Sequence, residues 1–362
     1  MNPVAKALDN FSITDVFFDI QNSGSEPETN DLVTLVDMTA LHSRGDIANL
    51  LEDINQTDPL YVGVDLIFEG EKDDVLGNEI LEGAVGGLFG KSLFSLKLTD
   101  YDSSQGTFTN SVRSFFAERV EFDEAYTNLN DDMAGVCIRD FSVAQTLNGE
   151  RVLSFPAKIA SVYDESIASL DNNEVLINFK NVRFPVVMYD EINQKSDLIE
   201  GHIVLVGTMT EEQDMHNTPL GKMPGLELQA YSLLTLLEHK GIKEVPSWLS
   251  WIIAFLLCYF LELSIDAVIK LLLKYDKTPI IVFLRKSNVV VILMLFLWIT
   301  IVCWIMFLMF VKHGISIQGG IILGLMALVC EGRNLVYAIV KAITAKKPNC
   351  WFVRTSLLNY DD

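Results

Sequence analysis

Cysteine is nearly absent from the first two thirds of this chain. Only Cys137 precedes residue 246, while Cys258, Cys303, Cys330 and Cys350 follow it. One thiol cannot build a disulfide framework within residues 1–246, and no zinc-type spacing is present. Histidine is as scarce, with His42, His202, His216, His239 and His313 forming no His-x-x-x-His pair. A transition-metal centre wants two or more nitrogen or sulfur ligands, so neither a metal nor a cofactor is expected. Basic charge is short as well. Residues 1–246 hold 16 Lys+Arg against 42 Asp+Glu, which excludes a nucleic-acid surface. The first 30 residues carry one lysine and no apolar run, so they are not a signal peptide. No Gly-x-Ser-x-Gly elbow occurs, and no nucleophile–base pattern stands out.

What is there begins at Asp31. Short β-branched runs alternate with helical patterns from that point. Strands are expected at 32–36 (ending at Asp37), 61–68 (with Asp65 inside), 94–98, 134–141, 175–179, 184–187 and 203–206. Helices are expected at 47–54, 79–85 and 155–170, with another from about Leu226. Residues 5–20 read as a short amphipathic helix, 22–30 as a polar linker and 100–112 as turn-rich. The glycine cluster at 83–90 reads as a loose segment rather than a phosphate loop, because no strand stands immediately before it. Such alternation predicts a three-layer α/β domain over 31–246.

The centre of the chain is residues 202–231. Its strand closes at Gly207, an acidic loop carries Asp214, His216, Thr218 and Pro219, and Met223-Pro224-Gly225 turns into a helix. In an open α/β sheet, ligands sit where strands end and helices begin. Asp37, Asp65 and Asp214 all stand at or near predicted strand ends, and Arg139 stands near another. One reading gathers the three carboxylates into a pocket for a cation or an amine. The other makes them helix caps and loop fasteners. Arg139 would either neutralise that cluster or bind an anionic ligand. Asn178 would donate to a ligand or satisfy a turn. Thr218 serves a ligand or simply shapes its turn.

Three apolar blocks follow, at 248–265, 289–311 and 315–339. Each can cross a hydrocarbon core of about 30 Å. Lys270, Lys274, Lys277, Arg285 and Lys286 lie between the first two, and Lys341, Lys346, Lys347 and Arg354 follow the third; Lys312 stands alone between the second and third. By the positive-inside rule, the first loop and the 346–362 tail are cytoplasmic and residues 1–246 are outside. Gly320 and Gly324 form a small-xxx-small pair that would let helices approach in a homo-oligomer. Glu262, Asp266, Glu331 and Arg333 are polar groups near or within the membrane, and an ion pair between the first and third helices is expected among them.

The ordered set LVDM (35–38), VGVDLIF (62–68), GVCIRDF (135–141), INF (177–179) and the 202–231 stretch resembles the second type of CHASE domain. That family comprises extracytoplasmic sensor modules of bacterial receptors, followed by three membrane helices. The resemblance covers about residues 11–345. It implies a non-enzymatic sensor in a bacterial inner membrane, with a small-molecule or protein ligand outside. It also implies a membrane helix before the 1–30 segment, expected upstream of Met1. Family members usually continue into a cyclase or kinase. Residues 344–362 are too short for one, so a separate cytoplasmic effector is expected. Two rival readings are a metal-dependent extracytoplasmic hydrolase on the Asp37/Asp65/Asp214 edge and a membrane anchor that senses nothing.

Overall fold

The computed structural model describes residues 13–24, 26–129, 137–170, 174–239, 241–274, 278–286 and 289–329, together with Gly332 and Ile339. The chain divides into two compact units, residues 1–243 and 244–362. The first is a mixed α/β domain, in which β1 (Glu28–Thr29) pairs with β11 (Val182–Arg183) and β7 (Asp140–Ser142) with β10 (Glu174–Leu176) outside the main sheet. Its strands β2 (Val33–Asp37), β3 (Tyr61–Val64), β4 (Ser92–Asp102), β6 (Asp123–Tyr126), β12 (Val186–Met188) and β13 (Ile203–Gly207) run parallel in the order β12-β2-β13-β3-β4-β6. Every residue of β2, β3 and β13 is buried. That explains why these segments read as continuous apolar runs rather than alternating ones.

Alternation along the strands decides what each side chain meets. Val36, Val62, Val64, Phe94, Val204 and Val206 share one apolar cluster. The same cluster takes in Ile47 and Leu51 of α2 (Arg44–Gln56) and Leu81 and Val85 of α3 (Val75–Gly87). Gly63 points to the opposite side. A Cβ there would stand 2.8 Å from Phe155, 2.9 Å from Ile159 and 2.9 Å from Leu205. Phe155 and Ile159 belong to α4 (Phe155–Tyr163), so this helix lies directly on the strand at Gly63.

Capping accounts for the main shifts in helix boundaries. Ser43 accepts from the Asp46 amide and starts α2 three residues before the apolar pattern does. Asp74 accepts from the Gly77 amide and starts α3 early in the same way. The helix expected over 155–170 stops at Tyr163. There Asp164 turns extended (φ −142°) and caps a separate 3₁₀ turn, Glu165–Ser169.

Residues 100–112 are not a turn-rich stretch. The second half of β4 leaves the parallel sheet and pairs antiparallel with β5 (Thr107–Val112). Tyr101 and Phe108 pair across it at 5.0 Å, with Gly106 at φ +67° in the turn. Its polar residues suit an exposed ribbon. β5 leads on to β8 (Ala144–Leu147) and β9 (Glu150–Leu153), joined by Asn148 and Gly149 at φ +50° and +87°, as a two-residue hairpin requires.

Helix α1 (Ile13–Asn22) buries Phe17 and Phe18. Phe18 meets Phe179 edge-on at 5.6 Å, and Phe179 meets Tyr231 of α5 (Gly225–Leu237) at 5.4 Å. The Asn22 side chain donates to the Phe179 carbonyl at 3.0 Å.

The second unit holds α6 (Ser247–Leu273), α7 (Pro279–Lys286) and α8 (Val289–His313). Both α6 and α8 are long and apolar enough to cross a membrane, and only 17% of each apolar window is buried. A helix in a soluble core would be mostly covered. Here Phe255, Tyr259, Phe296 and Trp304 stand exposed, as lipid-facing residues do. Trp298 donates to Ser264 at 3.0 Å and ties α8 to α6. In the third apolar block, Gly319–Val329 is an apolar helix, and most of 330–339 lies outside the described residues. This helix starts late because Ile315–Ser316 is extended. The expected strand residues 134–136, the expected partners Glu331 and Arg333, and the tail lie outside the described residues.

Candidate functional site

Strand register lines up one row of residues at the C-terminal edge of the parallel sheet. Met188 faces Asp37, Asp37 faces Gly207, and Ser95 faces Ala125. Val206–Val64 and Val64–Phe94 are also in register, so Asp65 falls between Gly207 and Ser95. Two bonds fix it there. The Asp65 amide donates to the Val206 carbonyl at 2.8 Å, and the Ser95 hydroxyl donates to the Asp65 carboxylate at 2.9 Å. Neighbouring strands are about 4.8 Å apart. Asp37 and Asp65 therefore flank Gly207 at roughly 10 Å from one another. Gly207 leaves room between them: a Cβ there would meet Leu226 at 3.0 Å and Asp65 at 3.5 Å.

Leu226 belongs to the first turn of α5, which carries the third carboxylate. The acidic loop expected over 208–224 is in fact a 3₁₀ turn, Glu212–Asp214, and a hairpin of β14 (Met215–Thr218) and β15 (Gly221–Pro224). The hairpin folds Asp214 back onto α5. A Cβ on Gly225 would lie 2.6 Å from one Asp214 oxygen and 3.0 Å from the other. The carboxylate thus rests on the positive end of the helix, where an anion is stabilised. His216 Nε2 stands 3.4 Å from Asp214.

The Asp65 carboxyl is pushed up to about 6, first by burial, with the Asp214 charge adding to the rise; the Ser95 hydrogen bond and His216 work against it. Asp65, Asp214 and His216 are thus electrically coupled. The family model for the CHASE2 domain matches residues 6–263. The chain belongs to the CHASE2 domain family. The resemblance seen in the ordered motifs is borne out, and the family is one of sensory domains. No curated protein and no solved structure matches the chain.

The other expected site residues of this CHASE2 domain are spread more widely. Asp37 accepts from the Thr39 amide at 2.8 Å and its hydroxyl at 2.5 Å. Thr39 in turn accepts from the Met209 amide at 2.9 Å. Asp37 therefore fastens the loop after β13 as well as standing in the row. Thr218 closes the hairpin turn, donating to the Gly221 carbonyl at 2.8 Å and accepting from Leu220. Asn178 receives its place from α5, where Thr235 accepts its amide at 3.0 Å. Thr235 stands ten residues from Gly225, about 15 Å along the helix, so Asn178 is not brought to the Asp214 end. Arg139 does not neutralise the carboxylate row. It makes a two-pronged pair with Asp15 of α1, at 2.8 and 2.5 Å.

Among the described residues, no group of three His, Cys, Asp or Glu side chains stands close enough to hold a metal ion. Gly90-Lys91-Ser92 has the ending of a phosphate-loop motif, but it leads α3 into β4. A phosphate loop leads a strand into a helix. Ser95 was not among the expected site residues. Counting register across from Asp65 would have found it.

The raised Asp65 carboxyl makes a stability prediction. Its folded value lies above the unfolded value near 4, so it contributes stability at low pH that is lost as pH rises through about 6. Asp65→Asn keeps a partner for Ser95 and removes the charge. The variant should match the wild type near pH 4 and exceed it by about 2 kcal/mol near pH 7.5. Urea unfolding at both pH values reads this directly. Equal gaps at the two would mean that Asp65 is not the titrating group.

Proposed function

We propose that this chain is a membrane-anchored sensor. Its α/β domain is a three-layer module outside the cytoplasm of a bacterial cell, held in the inner membrane by a multi-helix bundle. The edge formed by Asp37, Gly207, Asp65 and Ser95, with Asp214 and His216 above it, receives a small molecule or peptide. An acidic row favours an amine or other cationic group. The change passes inward to a cytoplasmic effector.

The observation that carries this reading is the course of α5. Its first residue, Gly225, lies under the Asp214 carboxylate. Nine residues separate its last, Leu237, from Ser247, where the first membrane-length helix begins. A ligand that displaces or neutralises Asp214 acts on the positive end of this helix, the last long helix before the membrane-length segment in the sequence. The family match supports the same reading, because it runs past the α/β domain to residue 263, within α6. The four basic residues between α6 and α8, with Lys270 in the last turn of α6, against Lys312 in the last turn of α8, support the orientation.

Protease treatment of intact spheroplasts tests it, with one tag near residue 25 and another after Asp362. The domain tag should be lost and the tail tag protected. A protected domain tag would place the acidic module inside and end the outward-sensor reading. The metal-dependent hydrolase finds no ligand group among the described residues. Turnover lost on Asp214→Asn would nevertheless revive an enzyme.

A further inference from the structure

The segment joining α6 to α8 folds into a helix of its own. α7 starts at Pro279, whose ring suits a first helical position. Thr278 precedes it, its carbonyl accepting from the Ile281 and Val282 amides at 3.1 and 3.2 Å. Ile280 to Leu284 of α7 are all apolar, but they are unequally covered. Ile280 is 72% exposed and Phe283 63%, while Ile281, Val282 and Leu284 are partly covered. Residues 280 and 283 share one helix face. Two large apolar side chains on one face of an eight-residue helix need a cover.

Tether length limits what that cover can be. Two residues separate Lys286 from Val289, the first residue of α8. They allow a reach of roughly 10 Å. α7 is therefore held at the end of a membrane-length helix, at the depth of the lipid headgroups. The sequence from 270 to 286 carries Lys270, Lys274, Lys277, Arg285 and Lys286 against one acid, Asp276. An apolar face beside a basic cluster is the pattern of a helix lying in an anionic interface.

We propose that α7 docks on the bilayer itself, with Ile280 and Phe283 entering the headgroup–acyl boundary and the basic cluster selecting anionic phospholipid. The link between the first two membrane helices then responds to lipid charge. The proposal rests on reading α6 and α8 as membrane-crossing, but not on which side the link faces.

The test uses the full chain in nanodiscs, which expose both faces and carry the same lipid in both leaflets. A wrong orientation in cells and a wrong lipid contact are thereby told apart. Trypsin cuts after Lys277, Arg285 and Lys286. Replacing about one third of the phosphatidylcholine with phosphatidylglycerol should slow these cuts at least about tenfold. High salt should restore most of the rate. Phe283→Glu should be cut at the fast rate in both lipids. The variant Lys274→Gln/Lys277→Gln, which keeps the apolar face, should lose most of the lipid preference at the remaining sites. Equal cutting of the wild type in the two lipids would overturn the proposal. So would slow cutting of Phe283→Glu in the anionic discs.

Discussion

Gly63→Val should abolish folding of the α/β domain or leave it at least about 3 kcal/mol less stable. Two effects oppose each other at this position. Glycine inside a strand is conformationally costly, and a β-branched residue would recover up to about 1 kcal/mol of that. Against it stands the packing. A Cβ at 63 meets Phe155, Ile159 and Leu205 at 2.8–2.9 Å, closer than real carbon contacts allow. β3 lies between β13 and β4, so it cannot shift without breaking two ladders. Overpacking a close-packed core typically costs about 1–3 kcal/mol for an added methylene, and valine adds three carbons. Sterics therefore win. Gly83→Ala gives the contrast. Gly83 lies within α3, and nothing stands within 4 Å of a Cβ there. That variant should gain about 0.5–1 kcal/mol. Urea unfolding of the full chain, read on residues 1–243 by hydrogen exchange, compares the two. If Gly63→Val folds with wild-type stability, α4 does not lie on β3 as described.

These opposite outcomes show what could be read from the sequence and what could not. Strand 32–36, the Gly207 stop and the helix after Pro224 were legible because buried parallel strands and helix starts are local signals. Asp65 was legible as a strand-end carboxylate for the same reason. The role of Gly63 was not, because nothing local tells a glycine that admits Phe155 from one that loosens a helix. The 215–224 hairpin was hidden by its polar residues, which read as loop while their backbones pair. Pairing is a long-range fact, and so is the partner of Arg139. Asp15 lies 124 residues away, so the sequence offered Asp37, Asp65 and Asp214 as nearer candidates. Ser95 was missed because a serine becomes significant only once its register opposite Asp65 is known.

Arg139→Ala should cost about 2 kcal/mol and release α1. The pair with Asp15 is two-pronged and partly buried, with side-chain exposures of 16% and 21%. Removing one partner of a well-covered pair leaves the other charge uncompensated. The cost stays below that of a fully buried pair because water still reaches both groups. The location matters more than the energy. Arg139 follows Ile138, whose amide donates to the Asn217 carbonyl at 2.8 Å. Asn217 lies in β14 beside His216, so the pair joins α1 to the hairpin that carries His216 near Asp214. Phe18 and Phe179 join the same helix to α5. α1 is thus fastened to both parts of the candidate site. Hydrogen exchange should therefore quicken in residues 13–22 and in 215–224 together, while β2 and β13 stay protected. Arg139→Lys should rescue only part of the stability, because an ammonium cannot make the two-pronged bond. A double-mutant cycle with Asp15→Asn should return a coupling of about 1–2 kcal/mol. If α1 loosens while 215–224 does not change, the ion pair holds a helix in place and carries nothing to the site.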